Sequence, residues 1–432
     1  MSELITQLPG RTAFCEQLDL LLAERQITQQ RLAILLIDID RFGALNDAAG
    51  MTIGDKVLIE MAMRIQDVIR PGDVLARIGD DEFAVILPGI QHDSQALLAA
   101  TKICETCDLF VNMQQQGVKL GVRTGIAIFP KHGMDSEDLL RRAGLALAEA
   151  KRSRHKFCLF EQKYETQNIS FLRLEYELRE ALDQTALSLY YQPQVDSQSG
   201  AICGVEALTR WFKPDGNAIP PDTFIGVAEE SGLIHPLTHW CLKTALGQVS
   251  KWLGQGRNLT MAVNISPRVF EEPGLHQLVD QILEIWGVPP ENLVLEITEG
   301  AVMKDPQHAL VLLHELNDMG IALSIDDFGT GYSSLAYLRQ LPIRELKIDR
   351  SFVNEMSKPN GDESIVRAVI DMARNFSLRV VAEGVEDQRT MDRLIDLGCD
   401  IIQGYFISKP KPPEDITGFL ESNRAYRSLV TS

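Results

Sequence analysis

Nine residues in the second half of the chain invite a chemical reading, because each stands at the end of a short β-rich run: Gln192, Glu206, Asn264, Glu296, the adjacent Asp326 and Asp327, Lys347, Glu383 and Gln403. A carboxylate inside an otherwise apolar strand is costly unless it is paired or bound to metal. One such residue is ordinary structural polarity; a series of them at successive strand ends implies a site. Glu206, Asn264, Glu296, Asp326 and Asp327 offer only oxygen donors, which favours Mg²⁺ or Mn²⁺ over zinc. The Asp326-Asp327 pair suits two ions about 3.5–4 Å apart, an arrangement made for in-line displacement at a phosphodiester. Such ions would lower the pKa of bound water from about 15.7 toward about 7. Lys347 would hold that nucleophile or neutralise the phosphorane, and Arg210, four residues after Glu206, could clamp a phosphate oxygen. The residues alone therefore read as a two-metal phosphodiesterase.

The elements that must position these groups follow from the apolar pattern. Strand-like runs fall at 187–195, 202–211, 259–266, 293–299, 321–328, 344–350, 379–386 and 401–408, with amphipathic helical stretches at 274–286, 306–319, 362–376 and 388–397. Eight β–α units imply an α/β (β/α)8 barrel of TIM type, whose active site gathers at the carboxyl ends of the strands. The first half interleaves differently. An apolar run at 31–40, a helix at 54–69, a hairpin of 73–78 and 83–88, a helix at 93–112, a strand at 118–129, a helix at 135–153 and a short strand at 156–160 suggest an α+β layer with helices on one face. An amphipathic helix over 165–184 reads as a connector. The expected domains are 1–160, a linker helix at 161–184, and the barrel at 185–425.

Composition bounds the partners. The chain has 432 residues, 45% hydrophobic and 24% charged, which fits a globular protein of two domains. Its 60 acidic against 42 basic residues give a net charge of −18, which argues against a nucleic-acid polymer as partner. A small anionic ligand is compatible with that charge when metal ions intervene. Seven scattered cysteines suit a reducing cytosol. The start, MSELITQLPG, lacks the features of a signal peptide, and no apolar run is long enough to insert in a membrane. A cytoplasmic protein without a sensor module ahead of its first domain is the expectation. The Cys104/Cys107 and His235/His239 pairs lack further ligands, so they read as buried thiols and surface decoration. Glu229-Glu230 reads as loop-positioning, and 424–432 as a fraying tail.

The segments EALTRW (206–211), FIGVAEESGLI (224–234), NIS (264–266), LEITE (295–299), DDFGTGYSSL (326–335), LKID (346–349), AEGVE (382–386) and QGY (403–405) resemble the EAL-domain phosphodiesterases, in order and spacing, over 170–425. Those enzymes hydrolyse cyclic di-GMP to the linear pGpG. The resemblance implies that Glu206, Asn264, Glu296, Asp326 and Asp327 ligate metal, with Lys347 at the attacking water and Glu383 a second-metal or base residue. It makes Glu299 the anchor of loop 328–335, and Gln192, Arg210 and Gln403 substrate contacts. It implies a homodimer through the face near 328–340. Gly226 departs from the family, where proline is commoner.

In the first half, LITQLPGRTAF (4–14), DIDRFGALNDAAGMTIGD (38–55), RIGDDEF (77–83), TGIA (124–127) and AGLALAEAK (143–151) resemble a GGDEF domain, whose active members condense two GTP molecules into cyclic di-GMP. Asp38, Asp81 and Glu82 match its metal and catalytic carboxylates, and Asn46 and Asp55 its guanine-recognising pair. Lys151 and Arg154 match phosphate contacts. Asp80 stands where a second glycine is usual, adding a side chain and a negative charge beside the triphosphate position. Gly43 replaces a phosphate-binding lysine, and Met51 and Ala148 replace histidine and tyrosine. These departures argue against synthesis and for a degenerate domain that binds GTP as an allosteric ligand. Arg70 and Asp73 match the family's RxxD inhibitory site for cyclic di-GMP; a charged helix end capped by Pro71-Gly72 is the alternative.

Overall fold

In the computed structural model, residues 1–2, 29, 114–115, 154, 185, 330–334, 357–362 and 423–432 lie outside the described set. Arg154, the centre of loop 328–335 and the tail 424–432 therefore fall outside it. The chain divides into two units, Met1–Arg173 and Leu174–Ser432.

The first unit is organised by β1 (Arg31–Ile39), whose residues alternate between two apolar cores. Also in this unit are β2 (Val74–Arg77), β3 (Glu82–Ile90), β4 (Leu109–Met113), β5 (Gln116–Leu120), β6 (Val122–Phe129) and β7 (Phe157–Leu159). The helices are α1 (Arg11–Thr28), α2 (Phe42–Ala49), α3 (Met51–Val68), α4 (Asp93–Thr106) and α5 (Ser136–Arg152). The sheet order is β2-β3-β1-β6-β7, antiparallel except for β6 and β7. Ala33, Leu35 and Ile37 pack with Met61 of α3 and Ile103 of α4. Leu32 and Ile34 pack with Phe14 of α1 and Leu139 of α5.

Helices thus cover both faces of the sheet rather than the single face expected. The reason is β1 itself: a run apolar at nearly every position demands burial on both sides. The helix expected over 93–112 ends at Thr106, with Cys107 as its C-cap, and 109–113 pairs with β5 as a two-stranded ribbon. Gly121 separates β5 from β6, dividing the strand expected at 118–129.

The boundary between the units falls within α6 (Lys163–Asp183), and the barrel follows it in the second unit. Its strands are β8 (Leu187–Asp196), β9 (Ile202–Phe212), β10 (Ala218–Ile219), β11 (Thr260–Ile265), β12 (Leu293–Thr298), β13 (Ala322–Phe328), β14 (Glu345–Ile348), β15 (Arg379–Ala382) and β16 (Ile401–Ile402). Eight of these close a ring, β9-β11-β12-β13-β14-β15-β16-β8 and back to β9, while β10 pairs onto β9 from outside. From β9 through β16 the ring is parallel. β8 runs antiparallel to both of its neighbours.

The eight uniform β–α units expected from the sequence are thereby corrected to seven parallel strands and one reversed. Only residues 197–201 join β8 to β9, and a parallel crossover needs a dozen or more. The helices used below are α7 (Pro221–Ser231), α8 (Ile234–Gly254), α9 (Pro267–Phe270), α10 (Leu275–Trp286), α11 (Glu299–Lys304), α12 (Pro306–Asp318), α13 (Leu335–Leu338) and α14 (Arg350–Glu355). Among the described residues no helix is long and apolar enough to cross a membrane.

One buried histidine makes the first unit sensitive to acid. His132 is 5% exposed and its Nδ1 accepts from the Ile128 backbone N–H at 3.0 Å. Burial, reinforced by the charge of Lys131, lowers its pKa from 6.5 to about 4. The unfolded chain therefore binds the extra proton first. This contribution to stability is complete above about pH 6.5 and is lost as pH falls toward 4, by on the order of 3 kcal/mol. Urea unfolding at pH 7 and pH 5 should show a smaller acid loss in His132→Gln than in the parent chain.

Candidate active site

Parallel strands alternate side chains between barrel interior and exterior. The pair Asn264↔Glu296 lies one inward-facing position beyond the small cluster of Ala262, Val294 and Ala322, and Glu206, which pairs with Ala262, reaches up to Asn264 with its side chain. Lys347 of β14 is fully buried at the centre. Its Nζ lies 2.7 Å from Glu296 Oε2 and 2.6 Å from Glu383 Oε1, with Glu206 Oε1 and Asp326 Oδ2 each at 3.6 Å. Amides complete the ring: Glu206 accepts from Asn264 Nδ2 at 2.7 Å and from Gln403 Nε2 at 2.5 Å. Gln403 Nε2 also donates to Gln192 Oε1 at 3.1 Å, and Gln403 Oε1 accepts from Gln194 at 3.0 Å.

The electrostatics are those of a cluster short of positive charge. Burial opposes a charged Lys347, but Glu206, Glu296, Glu383 and Asp326 together hold its pKa well above the usual lysine range. Burial and the neighbouring Glu206 push Glu296 well above the usual carboxylate range, and burial raises Glu383 to about 7. Glu206 is held low: Lys347, Gln403 and Asn264 outweigh its burial. One lysine cannot balance Glu206, Glu296, Asp326, Asp327 and Glu383. An all-oxygen donor set with this excess charge fits hard divalent cations. No three His, Cys, Asp or Glu side chains among the described residues form a ready-made metal cage; the ammonium of Lys347 stands between the carboxylates instead.

Asp326 and Asp327 both line the cavity although adjacent residues of a regular strand face opposite ways. The β13–β14 pairing is irregular between Ile325 and Phe328, and Asp327 takes φ 53°. Left-handed backbone costs a non-glycine residue about 1–3 kcal/mol, and here it turns the second carboxylate into the site. Gln192 arrives from the opposite direction, on reversed β8, directly across from Glu206. The cavity, about 490 Å³, also receives Arg210, whose half-buried guanidinium donates to the Thr209 carbonyl. Glu299, buried at the start of α11, accepts from the Gly329 backbone N–H at 3.1 Å.

In the first unit, Asp38 ends β1 opposite Glu82, and Lys151 Nζ lies 2.6 Å from its Oδ2. Burial raises the Asp38 pKa despite Lys151, and Asp81 and Glu82 add to the rise. Asn46 Oδ1 is buried with no hydrogen-bond partner beside Gly54, one residue before Asp55. The Asp80 carbonyl accepts from Arg77 at 2.7 Å. Arg70 and Asp73 close a turn, the carboxylate accepting from the Arg70 backbone N–H at 2.7 Å, beside a separate cavity of about 210 Å³. Both RxxD readings, capped turn and ligand site, are compatible with that geometry.

Residues 175–410 match the EAL domain, and residues 3–156 match the diguanylate cyclase, GGDEF domain. The chain belongs to the EAL-domain family. It carries its GGDEF domain ahead of the EAL domain. MucR of Pseudomonas aeruginosa, named as a bifunctional diguanylate cyclase/cyclic di-GMP phosphodiesterase, is 37% identical over 95% of this chain and 60% of its own length. PdeR of Escherichia coli, named as a cyclic di-GMP phosphodiesterase, is 34% identical over 94% of this chain and 61% of its own. The chain thus spans about three-fifths of these relatives. Among solved structures, the PaMucR phosphodiesterase in complex with c-di-GMP is 42% identical, covering 56% of this chain and 99% of its own, with a TM-score of 0.55.

The EAL-domain cavity is also lined by groups the sequence reading passed over: Asp222, Asp349, Arg350, Asn354, Glu386 and Tyr405. Asp349, Glu386 and Tyr405 lie inside the motifs LKID, AEGVE and QGY, so a signal for them existed; Asp222 had none. Gly404, within QGY, lies so close to the AEGVE strand end that an added Cβ would meet Val385 O at 2.1 Å and Val385 N at 2.3 Å. Backbone cannot yield as a side chain can. Gly404→Ala should destabilise the EAL domain by about 2 kcal/mol, visible as a lowered midpoint of thermal unfolding, and displace the adjacent Gln403.

Proposed function

We propose that the EAL domain hydrolyses cyclic di-GMP to pGpG by a two-metal mechanism, and that the degenerate GGDEF domain regulates it by binding GTP. The observation that carries the proposal is the buried Lys347 ringed by excess carboxylates at the floor of a cavity that also holds Arg210. Glu206, Asn264, Glu296, Asp326, Asp327 and Glu383 would hold two Mg²⁺ or Mn²⁺ ions. These supply charge neutralisation at the phosphoryl oxygens and acidify water at neutral pH.

The chain's own groups do the rest. Lys347, kept charged by its neighbours, orients the attacking water through Nζ. Glu383, 2.6 Å from Lys347 Nζ, is the second-metal or base residue, and in the latter role takes the proton that the attacking water gives up. Water oxygen bonds to phosphorus, the P–O3′ bond breaks, and O3′ takes up a proton. Arg210, Gln192 and Gln403 hold the dinucleotide, and Glu299 tethers the segment at Gly329. A homodimer through 328–340 remains part of the proposal, with 330–334 outside the described residues.

In the GGDEF domain the unpartnered Asn46 Oδ1 near Asp55 supports guanine binding, while Asp80 and Gly43 weaken the case for synthesis. A second reading, a bifunctional protein, is favoured by the likeness to MucR along nearly the whole chain.

Nucleotide chromatography with Mg²⁺ and cyclic di-GMP tests the proposal. Cyclic di-GMP should be lost as pGpG appears, GTP should change the rate, and Glu206→Ala should reduce turnover below detection while the fold persists. Undiminished turnover by Glu206→Ala would refute the site. Cyclic di-GMP formed from GTP alone would favour the bifunctional reading.

A further inference from the structure

We infer that Asp222 is a specificity-determining residue that reads the Watson–Crick edge of one guanine of the dinucleotide; the inference rests on the phosphodiesterase reading. Asp222 lines the same cavity as the carboxylates around Lys347 but belongs to a different wall. Along β9, Glu206, Leu208 and Arg210 share one face by alternation, so Arg210 lies about 13 Å up the strand from Glu206. The chain then returns through β10, which pairs Ile219 with Trp211, next to Arg210. Asp222 follows within the first turn of α7. It is exposed to the cavity, and among the described residues no hydrogen bond or ion pair occupies its carboxylate.

Its surroundings suit a nucleobase. Tyr405 lines this cavity with a large exposed ring, 57% accessible, and Lys409 Nζ stands over that ring at 5.4 Å. An exposed aromatic ring on a cavity wall is a stacking platform for a base of any identity. Leu208 and Pro410 add apolar surface. Arg210 lines the same cavity as Tyr405 and Glu206, a guanidinium suited to a phosphate oxygen of the dinucleotide.

Neither stacking nor a phosphate contact tells guanine from adenine; an edge reader must. A carboxylate accepts and does not donate. Guanine presents two adjacent donors, N1–H and the N2 amino group, which together match one carboxylate. Adenine presents a donor at N6 but a lone pair at N1, which faces the carboxylate with repulsion. Of the acidic residues lining the cavity, Asp222 is the one placed by β10 at the Arg210 end, away from Lys347.

The test compares kcat/KM for cyclic di-GMP and cyclic di-AMP, with Mg²⁺, in the full chain and in Asp222→Asn and Asp222→Glu. Losing a hydrogen-bonded pair to a charged group should lower the preference for cyclic di-GMP at least about tenfold in Asp222→Asn. The change should fall mainly on KM, and Asp222→Glu should restore most of the preference. A preference unchanged in Asp222→Asn, whatever happens to overall rate, overturns the inference while leaving the phosphodiesterase reading standing. A parent chain that turns over neither dinucleotide contradicts that reading itself.

Discussion

The ammonium of Lys347 sits in the barrel interior within 3.6 Å of carboxylate oxygens from Glu206, Glu296, Asp326 and Glu383. That contact constrains most of the second unit. Desolvating this many charges costs least where geometry is tight and the remaining lone pairs find partners. The requirement explains the buried amides Asn264, Gln192, Gln194 and Gln403, which fill the hydrogen-bonding capacity around Glu206. It also explains why the carboxylates come from different strands, since only a closed parallel barrel delivers consecutive strand ends to one point. The cluster still carries more negative charge than one lysine can balance, and the raised pKa values of Glu296 and Glu383 express that excess. Divalent cations would relieve it.

Two irregularities adapt the barrel to this task. Reversing β8 lets Gln192 meet Glu206 across an antiparallel pair. The left-handed Asp327 lets two consecutive aspartates serve one cavity. The reversal runs the whole length of β8, whereas the left-handed residue is confined to the site, as expected when local strain is tolerated for function. The GGDEF domain shows a different balance. Its Asp38 keeps a partner in Lys151, so its carboxylates are partly neutralised by the chain's own cation.

Much of this was legible in the sequence because a charge in an apolar strand is conspicuous: Lys347 within ELKI and Glu296 within LVLEIT announce themselves. The barrel followed from the rhythm of the runs. The direction of β8 did not, because LSLYYQPQV alternates identically read either way; only the shortness of the SQSG turn betrays the hairpin. The two-sided burial of β1 was written in its unbroken apolar run, yet the expectation placed helices on one face. LFVNM (109–113) was absorbed into the preceding helix, since short apolar runs fit either period. Asp222 escaped notice for a physical reason: an acidic residue in a helix's first turn is so common a dipole partner that its type carries no functional signal.

The central claim is that the carboxylates around Lys347 form a divalent-metal centre, and counting bound Mn²⁺ by electron paramagnetic resonance at neutral pH tests it most directly. The parent chain should hold two ions that the Asp326→Asn chain does not, with both proteins folded. Equal Mn²⁺ stoichiometry in the two would contradict the account.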